Sequence, residues 1–577
     1  MKTRLFTALS VALILTWSCS GPSDGVHRLT ILTTNDVHGA VFDSSYVDGR
    51  TFPSMVAASA LIDSVRAAEG RQNVLLLDAG DFLQGDNCVY FFNYVDTLSP
   101  HLCPRLYDAM RYDAVVVGNH DVESGHKVFD RVMKEFHSKG IPFLAANAVR
   151  EDGSPYFDEY ALFRKAGLKV LVLGFTNANM KAWLSESVWR GLDFLSLLPY
   201  VQEEVDRIQA REKPDVTVVA VHSGTGRGDG GELESQGLDL LESLKGVDVV
   251  ACSHDHRPFT VCRDSICLIN SGSRAQYVAQ AVVELEFKDG QKVSKTLSTG
   301  LLKVDKNRPD TLLRAAFRPD FEKVRNFTLE PVAILEETVN TRDAFAGMSS
   351  YMDLIHTVQL HSTGAEVSIA APLSVNRTLK AGQLVFHDMF ALYAYENRLC
   401  EVRLSGSEIR NFLEYSYDSW IQYPAPHVLK IAERDDPRTG QKGWSFVNRT
   451  YNFDSAAGIN YTVDVTRPFG QRVKISSLAD GTPFEEDRQH RVAMNSYRAS
   501  AGSYLKASGK PAGPDEVEKR IVRRLDEVRN LIYEELRSRG TAGPDYYSDR
   551  QLLGSWYFVP REQVKKAMDA DMLLLFK

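Results

Sequence analysis

Five short segments rich in aspartate and histidine each follow an apolar run typical of a buried β-strand. They lie at residues 36–38, 80–81, 118–121, 222 and 254–256. Because parallel strands end at the same edge of a sheet, side chains far apart in the chain can meet there. Five of the 14 histidines lie in these segments, each after a run rich in valine or leucine. We therefore expect one functional cluster at a sheet edge, and not five unrelated polar strand ends.

The side chains in these segments are typical ligands of transition metals. They comprise three carboxylates or amides and four imidazoles, without a cysteine: Asp36, Asp81, Asn119, His38, His222, His254 and His256. Such donors suit zinc, manganese, iron or cobalt. Seven side chains exceed the needs of one tetrahedral ion and suit two divalent ions that share a bridging carboxylate. Because two such ions can activate water for attack at phosphorus, the pattern indicates hydrolysis of a phosphate ester or anhydride.

The order DVH, GD, GNHD, VHSG and SHDH resembles the calcineurin-like metallophosphatases. More closely, it resembles the family of 5′-nucleotidases, 2′,3′-cyclic phosphodiesterases and UDP-sugar hydrolases, tightly from about residue 28 to 300 and loosely beyond. The resemblance implies an α/β fold in which a four-layer metallophosphatase sandwich is joined by a helical connector to a mixed α+β substrate-binding domain. It also implies a phosphohydrolase with two divalent ions that releases phosphate from nucleotides.

The resemblance also implies a role for each residue of the cluster. It assigns one ion to Asp36, His38, Asp81 and His256. It assigns a second ion to Asn119, His222 and His254, with Asp81 as the bridge. His120 would stabilise charge in the transition state or protonate the leaving group, and Glu123 would orient it. The alternative for Glu123 is a solvated charge near the start of a helix. Asp121 and Asp255 are expected to point away from the ions.

The expected substrate pocket lies in the second domain, where the resemblance is weaker. Phe453 and Tyr497 correspond to two aromatic walls that stack on a base, worth roughly 1–3 kcal/mol per stacked base. The alternative is that both are core aromatics. Further candidate substrate contacts are Asn376, Arg377, Asn397 and Ser503. Ser503 stands where the family usually has an aspartate for the ribose hydroxyls, so we expect weak discrimination between ribo- and deoxyribonucleotides.

A chain of 577 residues is too long for one ordinary domain. The expected division is a lipoprotein signal peptide at 1–18, a tether at 19–27, a metallophosphatase domain at 28–305, a connector at 306–332 and a substrate-binding domain at 333–577. The formal charge of −8 argues against a nucleic-acid polymer as partner, because such binders carry a basic stripe. The sequence leaves the oligomeric state open.

Residues 1–18 have the pattern of a secretory signal, with Lys2 and Arg4 ahead of an apolar run. The run ends in LTWSC, which resembles a relaxed bacterial lipobox with Cys19 as the lipid-bearing residue. The alternative is ordinary signal cleavage nearby, with Cys19 incidental. Both readings predict an exported protein, and the first predicts a lipid anchor in the bacterial cell envelope.

The other six cysteines are expected in an oxidising compartment. Cys262 and Cys267 could pair locally in a hairpin, and Cys88 and Cys103 could staple a loop. Two more, Cys252 and Cys400, are expected to be buried thiols. Further along the chain, residues 514–540 have the charged, amphipathic pattern of one long helix.

Several functions are compatible with this sequence. Besides a 5′-nucleotidase, the same scaffold could serve a nucleotide-sugar pyrophosphatase, a cyclic phosphodiesterase or a thiosulfohydrolase. A different class is a non-catalytic nucleotide-binding surface protein. The complete ligand set, with His120 present, favours an enzyme.

Overall fold

The computed structural model describes residues 21–184, 186–228, 234–395, 397–422, 426–435 and 442–576. The predicted signal peptide and Cys19 lie outside the described residues. Within these ranges, helices are too short or too polar to cross a membrane.

The first domain is built on two six-stranded sheets with parallel centres. The first sheet has antiparallel strands at one edge only, whereas the second has an antiparallel strand at each edge. The strands of the first sheet are, in spatial order, Gln291–Lys303, Tyr277–Lys288, Gly25–Thr34, Val74–Asp78, Ala114–Val116 and Phe143–Leu144. Those of the second are Pro258–Arg263, Ile266–Ser271, Val249–Ala251, Val216–Val221, Leu168–Phe175 and Tyr160–Lys165.

The two sheets pack face to face with helices outside them. Alternate residues of both sheets, such as Ile31 and Val218, form the apolar layer between them. The outer face of the first sheet packs on helices Met55–Glu69, Leu102–Met110 and His126–Ser138. The outer face of the second packs on helices Leu197–Glu212 and Gly237–Ser243. This arrangement of helix, sheet, sheet and helix confirms the expected four-layer sandwich.

Local sequence signals account for several element boundaries. The helix Met55–Glu69 begins after Ser54, whose hydroxyl accepts a hydrogen bond from the Ala57 amide at 3.2 Å, and it ends at Gly70 with φ +84°. The strands Tyr160–Lys165 and Leu168–Phe175 form an antiparallel hairpin that turns at Gly167, whose φ is +77°.

The segment between the domains is helical, as expected, with helices Thr311–Ala316 and Arg318–Thr328. The second domain mixes helices with three main sheets. Its five-stranded sheet has the order Ser455–Ala457, Val367–Ala370, Gln489–Asn495, Arg398–Ser405 and Ile521–Glu527. Two three-stranded sheets comprise Gly382–Val385, Pro331–Leu335 and Thr541–Ala542, and Val473–Leu478, Ile459–Asp464 and Trp556–Val559. The larger helices are Ser350–Thr363, Phe386–Leu392, Gly406–Trp420, Val528–Arg539 and Arg561–Leu575.

The prediction of one long helix over residues 514–540 is wrong. That stretch contains a short helix, Pro514–Glu518, the strand Ile521–Glu527 and the helix Val528–Arg539. The strand pairs antiparallel with Arg398–Ser405. Pairing with a neighbouring strand therefore overrides the helical pattern of the charged residues.

The cysteine predictions have a mixed outcome. Cys262 and Cys267 form the expected disulfide, across strands Pro258–Arg263 and Ile266–Ser271. The suggested pair Cys88 and Cys103 is wrong, because both are free, buried thiols. Cys88 donates to the Gly39 carbonyl at 3.1 Å and so packs inside the first domain. As predicted, Cys252 and Cys400 are also free and buried.

Candidate metal centre and substrate cleft

All seven predicted ligands follow the carboxyl ends of parallel strands. Asp36, Asp81 and Asn119 come after successive strands of the first sheet. His222 and His254 come after neighbouring strands of the second sheet. The edges of the two sheets meet here, and this is where open α/β sheets bind ligands.

The first group of converging side chains comprises Asp36, His38 and His256, whose ligand atoms lie within 4.8 Å of one another. The Nε2 atoms of His38 and His256 are 3.0 Å apart. Each also faces Asp36 Oδ1, at 4.0 Å from His38 and 3.5 Å from His256. Two imidazole nitrogens and a carboxylate oxygen thus converge on one point.

The second group comprises Asp81, His222 and His254, again within 4.8 Å of one another. His222 Nε2 lies 3.1 Å from Asp81 Oδ2 and 3.0 Å from Asn119 Oδ1. His254 Nδ1 lies 2.9 Å from the same amide oxygen. Asn119 therefore joins the group as an oxygen donor.

Backbone carbonyls fix two of the imidazole rings. His38 Nδ1 lies 3.1 Å from the Gln84 carbonyl oxygen, and His222 Nδ1 lies 2.8 Å from that of Ala79. A ring that donates from Nδ1 keeps a lone pair on Nε2, which here faces the cluster. Such outer hydrogen bonds commonly orient histidines that bind metals.

The backbone is strained at most of these positions. Five of the seven predicted ligands have φ between +48° and +70°, the left-handed region that L residues rarely adopt: Asp36, His38, Asp81, His254 and His256. Such strain persists where the surrounding structure determines it and is concentrated at functional sites. Gly118 permits the close approach of two of these loops, because a Cβ there would lie 2.1 Å from Asp81 Oδ1.

Burial and charge prepare these groups as ligands. Burial lowers the pKa of His38 to about 3, which leaves the ring neutral. Burial alone would raise the pKa of Asp81, but the imidazoles of His222 and His120 lower it well below its usual range. For His222, burial opposes protonation, yet the Asp81 carboxylate raises the pKa to about 9. The proton on His222 balances the negative charge of Asp81. A bound divalent cation would balance that charge in its place.

One buried oxygen supports binding of a metal ion directly. Asp36 is fully buried, and its Oδ1 accepts no hydrogen bond in the described part of the structure. A buried carboxylate oxygen without a partner is costly. It faces two imidazole nitrogens, so a divalent ion would satisfy all three. The donor set therefore fits two divalent ions.

Asp121 and Asp255 build the scaffold and face away from the cluster, as predicted. Asp121 accepts hydrogen bonds from four backbone amides, of Asp81, Phe82, Leu83 and Gly118, at 2.8–3.0 Å. Asp255 accepts from the Thr225 amide at 2.8 Å and from Asn270 Nδ2 at 2.9 Å.

His120 lies beside the cluster and is held by Glu123. His120 Nδ1 is 2.6 Å from Glu123 Oε2, and its amide donates to Asp81 Oδ1 at 2.8 Å. Both residues line a cleft of about 250 Å³ between the two domains. With Nδ1–H bonded to the carboxylate, Nε2 is the ring nitrogen available for chemistry.

The cleft is lined by aromatic and amide side chains from both domains. The first domain contributes Gln84, Asn119, His120, Glu123, Trp183, Leu184, Glu234 and His254. The second contributes Leu373, Tyr395, Asn397, Tyr451, Asn495 and Tyr497. The described lining contains no lysine or arginine. Arg498 lies 5.4 Å from the Tyr497 ring but is buried and paired with Asp454 at 2.7 Å.

The predicted substrate residues divide into two groups. Asn397 and Tyr497 line the cleft. Asn376 and Arg377 lie on an exposed turn that packs against Thr341, and Ser503 begins the helix Ser503–Ala507; these three are outside the described lining. In this structure these three residues do not line the cleft, and their contact with the substrate stays a prediction.

Phe453 lies in the core of the second domain in this structure. It is completely buried and stacks on Trp420, with ring centroids 5.6 Å apart and planes 3° apart. Tyr451 lines the cleft instead. Its ring meets that of Tyr497 edge to face at 6.0 Å and 88°, so the two rings are not parallel walls.

The motifs did not reveal three residues at the cluster. Asn35 donates to Asp36 Oδ2 at 2.6 Å and to the Gly272 carbonyl at 2.7 Å. The one sequence signal for Asn35 was its position directly before Asp36, the first predicted ligand. Trp183 and Glu234 contact His254 from segments outside the five motifs. No periodicity or spacing marks them.

Comparison with protein families finds two adjacent matches. Residues 29–258 match the calcineurin-like phosphoesterases, and residues 331–508 match the 5′-nucleotidase C-terminal domain. The two matched regions correspond to the two domains that flank the cleft.

Individual relatives are distant and mostly cover the whole chain. The trifunctional nucleotide phosphoesterase YfkN of Bacillus subtilis is 24% identical over 82% of this chain, which spans 36% of that longer protein. A 2′,3′-cyclic-nucleotide 2′-phosphodiesterase/3′-nucleotidase of Haemophilus influenzae is 23% identical, covering 97% of this chain and 92% of that protein. A candidate 5′-nucleotidase from Staphylococcus aureus, crystallised with α-ketoglutarate, has the same fold with a TM-score of 0.72 and 19% identity, covering 92% of this chain and 99% of that one.

Proposed function

We propose that this chain, whose two domains match the calcineurin-like phosphoesterases and the 5′-nucleotidase C-terminal domain, releases phosphate from nucleotides with the help of two divalent ions. The observation that carries this proposal is the convergence of seven ligand side chains beside His120, at the floor of a cleft with aromatic walls. The family accounts for the chemistry, and the cleft supports the nucleoside as the leaving group.

The proposed ligands divide into two sets with one shared carboxylate. Asp36, His38, His256 and Asp81 would hold one ion, and Asp81, Asn119, His222 and His254 would hold the other. When bound, the two ions activate water and neutralise charge on the phosphoryl oxygens. The metals that suit this donor set are zinc, manganese, cobalt and iron.

His120 and Glu123 are the proposed acid–base pair. Glu123 accepts the Nδ1 proton and fixes the imidazole plane. His120 then donates from Nε2 to the phosphoryl group or to the departing alkoxide. The cleft around the pair is partly closed by Trp183 and Leu184, which limits access of bulk water.

The charge of the cleft favours substrates with one phosphoryl group. Its described lining contains carboxylates, Glu123 and Glu234, but no lysine or arginine. The two ions can neutralise one phosphate, whereas a second phosphate would meet no lysine or arginine among the described lining residues. We therefore infer that nucleoside monophosphates are preferred over di- and triphosphates and over sugar nucleotides.

A cyclic nucleotide is the second candidate substrate. A 2′,3′-cyclic phosphodiester carries one negative charge and needs still less cationic compensation. The Haemophilus influenzae relative that covers 97% of this chain is a cyclic phosphodiesterase by name. Both substrates would use the same ions and the same acid–base pair.

The test is phosphate release by purified protein loaded with each candidate metal. The panel comprises AMP, ADP, ATP, UDP-glucose, and 2′,3′-cyclic AMP followed by a phosphatase step. We expect the highest kcat/KM for AMP or the cyclic nucleotide, and loss of activity in excess chelator. Full activity without bound metal would contradict the proposed chemistry, and preference for UDP-glucose would contradict the charge argument.

We infer that the enzyme acts outside the cytoplasm. The signal-like residues 1–18 and the lipobox-like Cys19 support export with a lipid anchor. The test is to express the full chain and a Cys19→Ser variant in a bacterium and to label with a fatty acid. We expect label and membrane retention in the parent only. Equal labelling of both would exclude Cys19 as the anchor.

A further inference from the structure

His254, which is partly exposed, is held differently from the two buried imidazoles of the cluster, His38 and His222. His38 and His222 face the cluster through Nε2, and backbone carbonyls fix their Nδ1 atoms. In His254 the ring is reversed, because Nδ1 lies 2.9 Å from Asn119 Oδ1 and Nε2 points outward. Its orientation therefore depends on whatever meets Nε2 and the ring faces.

A carboxylate meets the outward nitrogen. Glu234 Oε1 lies 3.3 Å from His254 Nε2. A carboxylate at this position accepts Nε2–H, which fixes the tautomer with its lone pair on Nδ1, and makes that nitrogen a stronger donor. Glu234 comes from the loop between the strand Val216–Val221 and the helix Gly237–Ser243, not from the segment that carries His254.

An indole covers one face of the same ring. Trp183, at the end of the helix Met180–Trp183, stacks on His254 with ring centroids 5.1 Å apart and planes 12° apart. A stacked plane restricts rotation of the imidazole about its χ2 angle. His254 is the partly exposed member of its group, whereas Asp81 and His222 are buried, so it has the greatest need of such support.

We propose that Glu234 and Trp183 are positioning residues that hold His254 for the second divalent ion. Glu234 sets the proton on Nε2, and Trp183 sets the plane of the ring. Neither residue touches the ion. The inference rests on the proposed metal centre and adds two residues from outside its five motifs. It also implies that the two ions respond differently to these residues, because Asp36, His38 and His256 have no contact with them among those described.

The experiment measures metal binding rather than turnover. Metal-free protein is titrated with Mn²⁺ or Zn²⁺ in a metal buffer, and bound ions are counted by mass spectrometry. The variants are Glu234→Ala, Glu234→Gln, Trp183→Ala and Trp183→Phe. Two further variants are controls. Glu151→Ala removes an exposed carboxylate in a distant turn. Trp189→Ala removes a nearby indole that packs against Lys181 and not on His254.

We expect the parent and both controls to bind two ions. Glu234→Ala should lower the affinity for one ion by 10- to 100-fold, which is the usual effect of removing such an outer hydrogen bond. Glu234→Gln retains an acceptor and should lose less, and Trp183→Phe should restore most of what Trp183→Ala loses. The Co²⁺-loaded alanine variants should also show altered absorption bands, because one ligand has moved.

Two results would overturn the inference. One is binding of both ions by Glu234→Ala and Trp183→Ala with the affinities of the parent. The other is an equal loss of affinity for both ions together with a lower melting temperature of the metal-free variants. That result would indicate a general structural role. A parent that binds two ions but hydrolyses none of the test substrates would instead contradict the proposed function and leave this inference standing.

Discussion

His120 and Glu123 act as one unit at the scale of single residues. The proposed role of the Glu123 carboxylate is to hold His120 through the 2.6 Å contact with its Nδ1, so it should contribute little to catalysis once the imidazole is gone. We expect His120→Asn to lower kcat by about 10²–10⁴-fold, the usual contribution of a positioned acid–base group, with both ions still bound. Glu123→Gln should cost less.

The double variant tests this coupling. His120→Asn/Glu123→Gln should be no slower than His120→Asn, whereas independent residues would give losses that multiply. The measurement is kcat for AMP, with metal content determined on each preparation. Multiplying losses, or loss of an ion from His120→Asn, would show that the roles are assigned wrongly.

The aromatic residues provide a second test at this scale. Tyr497 lines the cleft, whereas Phe453 is stacked in the core of the second domain. We expect Tyr497→Ala to raise KM for AMP by about tenfold, within the 1–3 kcal/mol of one stacked base, and Tyr497→Phe to retain the parent KM. Phe453→Ala should instead lower the free energy of unfolding by about 3–5 kcal/mol. Denaturant unfolding and steady-state kinetics on all three variants separate the two effects, and a KM effect for Phe453→Ala without destabilisation would contradict this assignment.

The convergence of the candidate metal ligands could be predicted from sequence, but the aromatic lining of the cleft could not. Each ligand directly follows a strong apolar strand, so its position at the sheet edge depends on local pattern alone. Tyr451 and Phe453 are both aromatic and lie on either side of Asn452, where a short helix ends. Which ring enters the cleft is decided by Trp420, from a distant helix, whose stacking holds Phe453 in the core.

At the scale of elements, the strand Ile521–Glu527 shows how tertiary pairing decides structure. In this strand Arg523 lies opposite Glu401 and Arg524 opposite Cys400. Strand alternation sends the two arginines to different faces. Arg523 Nε donates to the buried Glu401 carboxylate at 2.7 Å, whereas Arg524 pairs with the exposed Glu518. The charged run gave no sequence signal of this pairing partner, which is more than a hundred residues earlier.

These two arginines form a matched pair of variants. Arg523→Ala leaves a buried carboxylate with only Arg491, at 3.4 Å, and should lower the free energy of unfolding by about 1–3 kcal/mol. Arg524→Ala leaves an exposed carboxylate, Glu518, which water can solvate, and should cost less than about 1 kcal/mol. Chemical denaturation of both proteins measures the difference. Equal effects would contradict the alternation of a strand at this position.

At the scale of the whole molecule, the residues proposed for chemistry and those proposed for recognition come from different domains. The ligands and His120 belong to the first domain, whereas Tyr451, Tyr497 and Asn397 belong to the second. The family resemblance predicted this division. It could not predict how the domains meet, because their contact depends on side chains such as Tyr90 and Arg529 that carry no local pattern.

The domain contact includes a buried cation among aromatic rings. Arg529, which is 1% exposed, lies 5.3 Å from the ring of Tyr90 in the first domain and 4.0 Å from that of Phe390 in the second. The Tyr90 hydroxyl also donates to Asn530 Oδ1 at 2.6 Å. A desolvated cation–π contact is worth about 2 kcal/mol. The contact should therefore help to hold the recognition surface over the metal centre.

Loosening this contact should impair recognition more than chemistry. We expect Arg529→Met, which keeps a long apolar side chain, to lower kcat/KM for AMP by about tenfold, equivalent to ~1.4 kcal/mol. Hydrolysis of glycerol phosphate, which lacks a base and needs only the first domain, should change little. Tyr90→Phe keeps the ring, loses one hydrogen bond and should have a smaller effect in the same direction.

The measurement is the ratio of kcat/KM values for the two substrates, with metal content as the control. An equal loss for both substrates would show that the contact supports the metal centre itself, and an unchanged ratio with full activity would show that the domain arrangement does not depend on it.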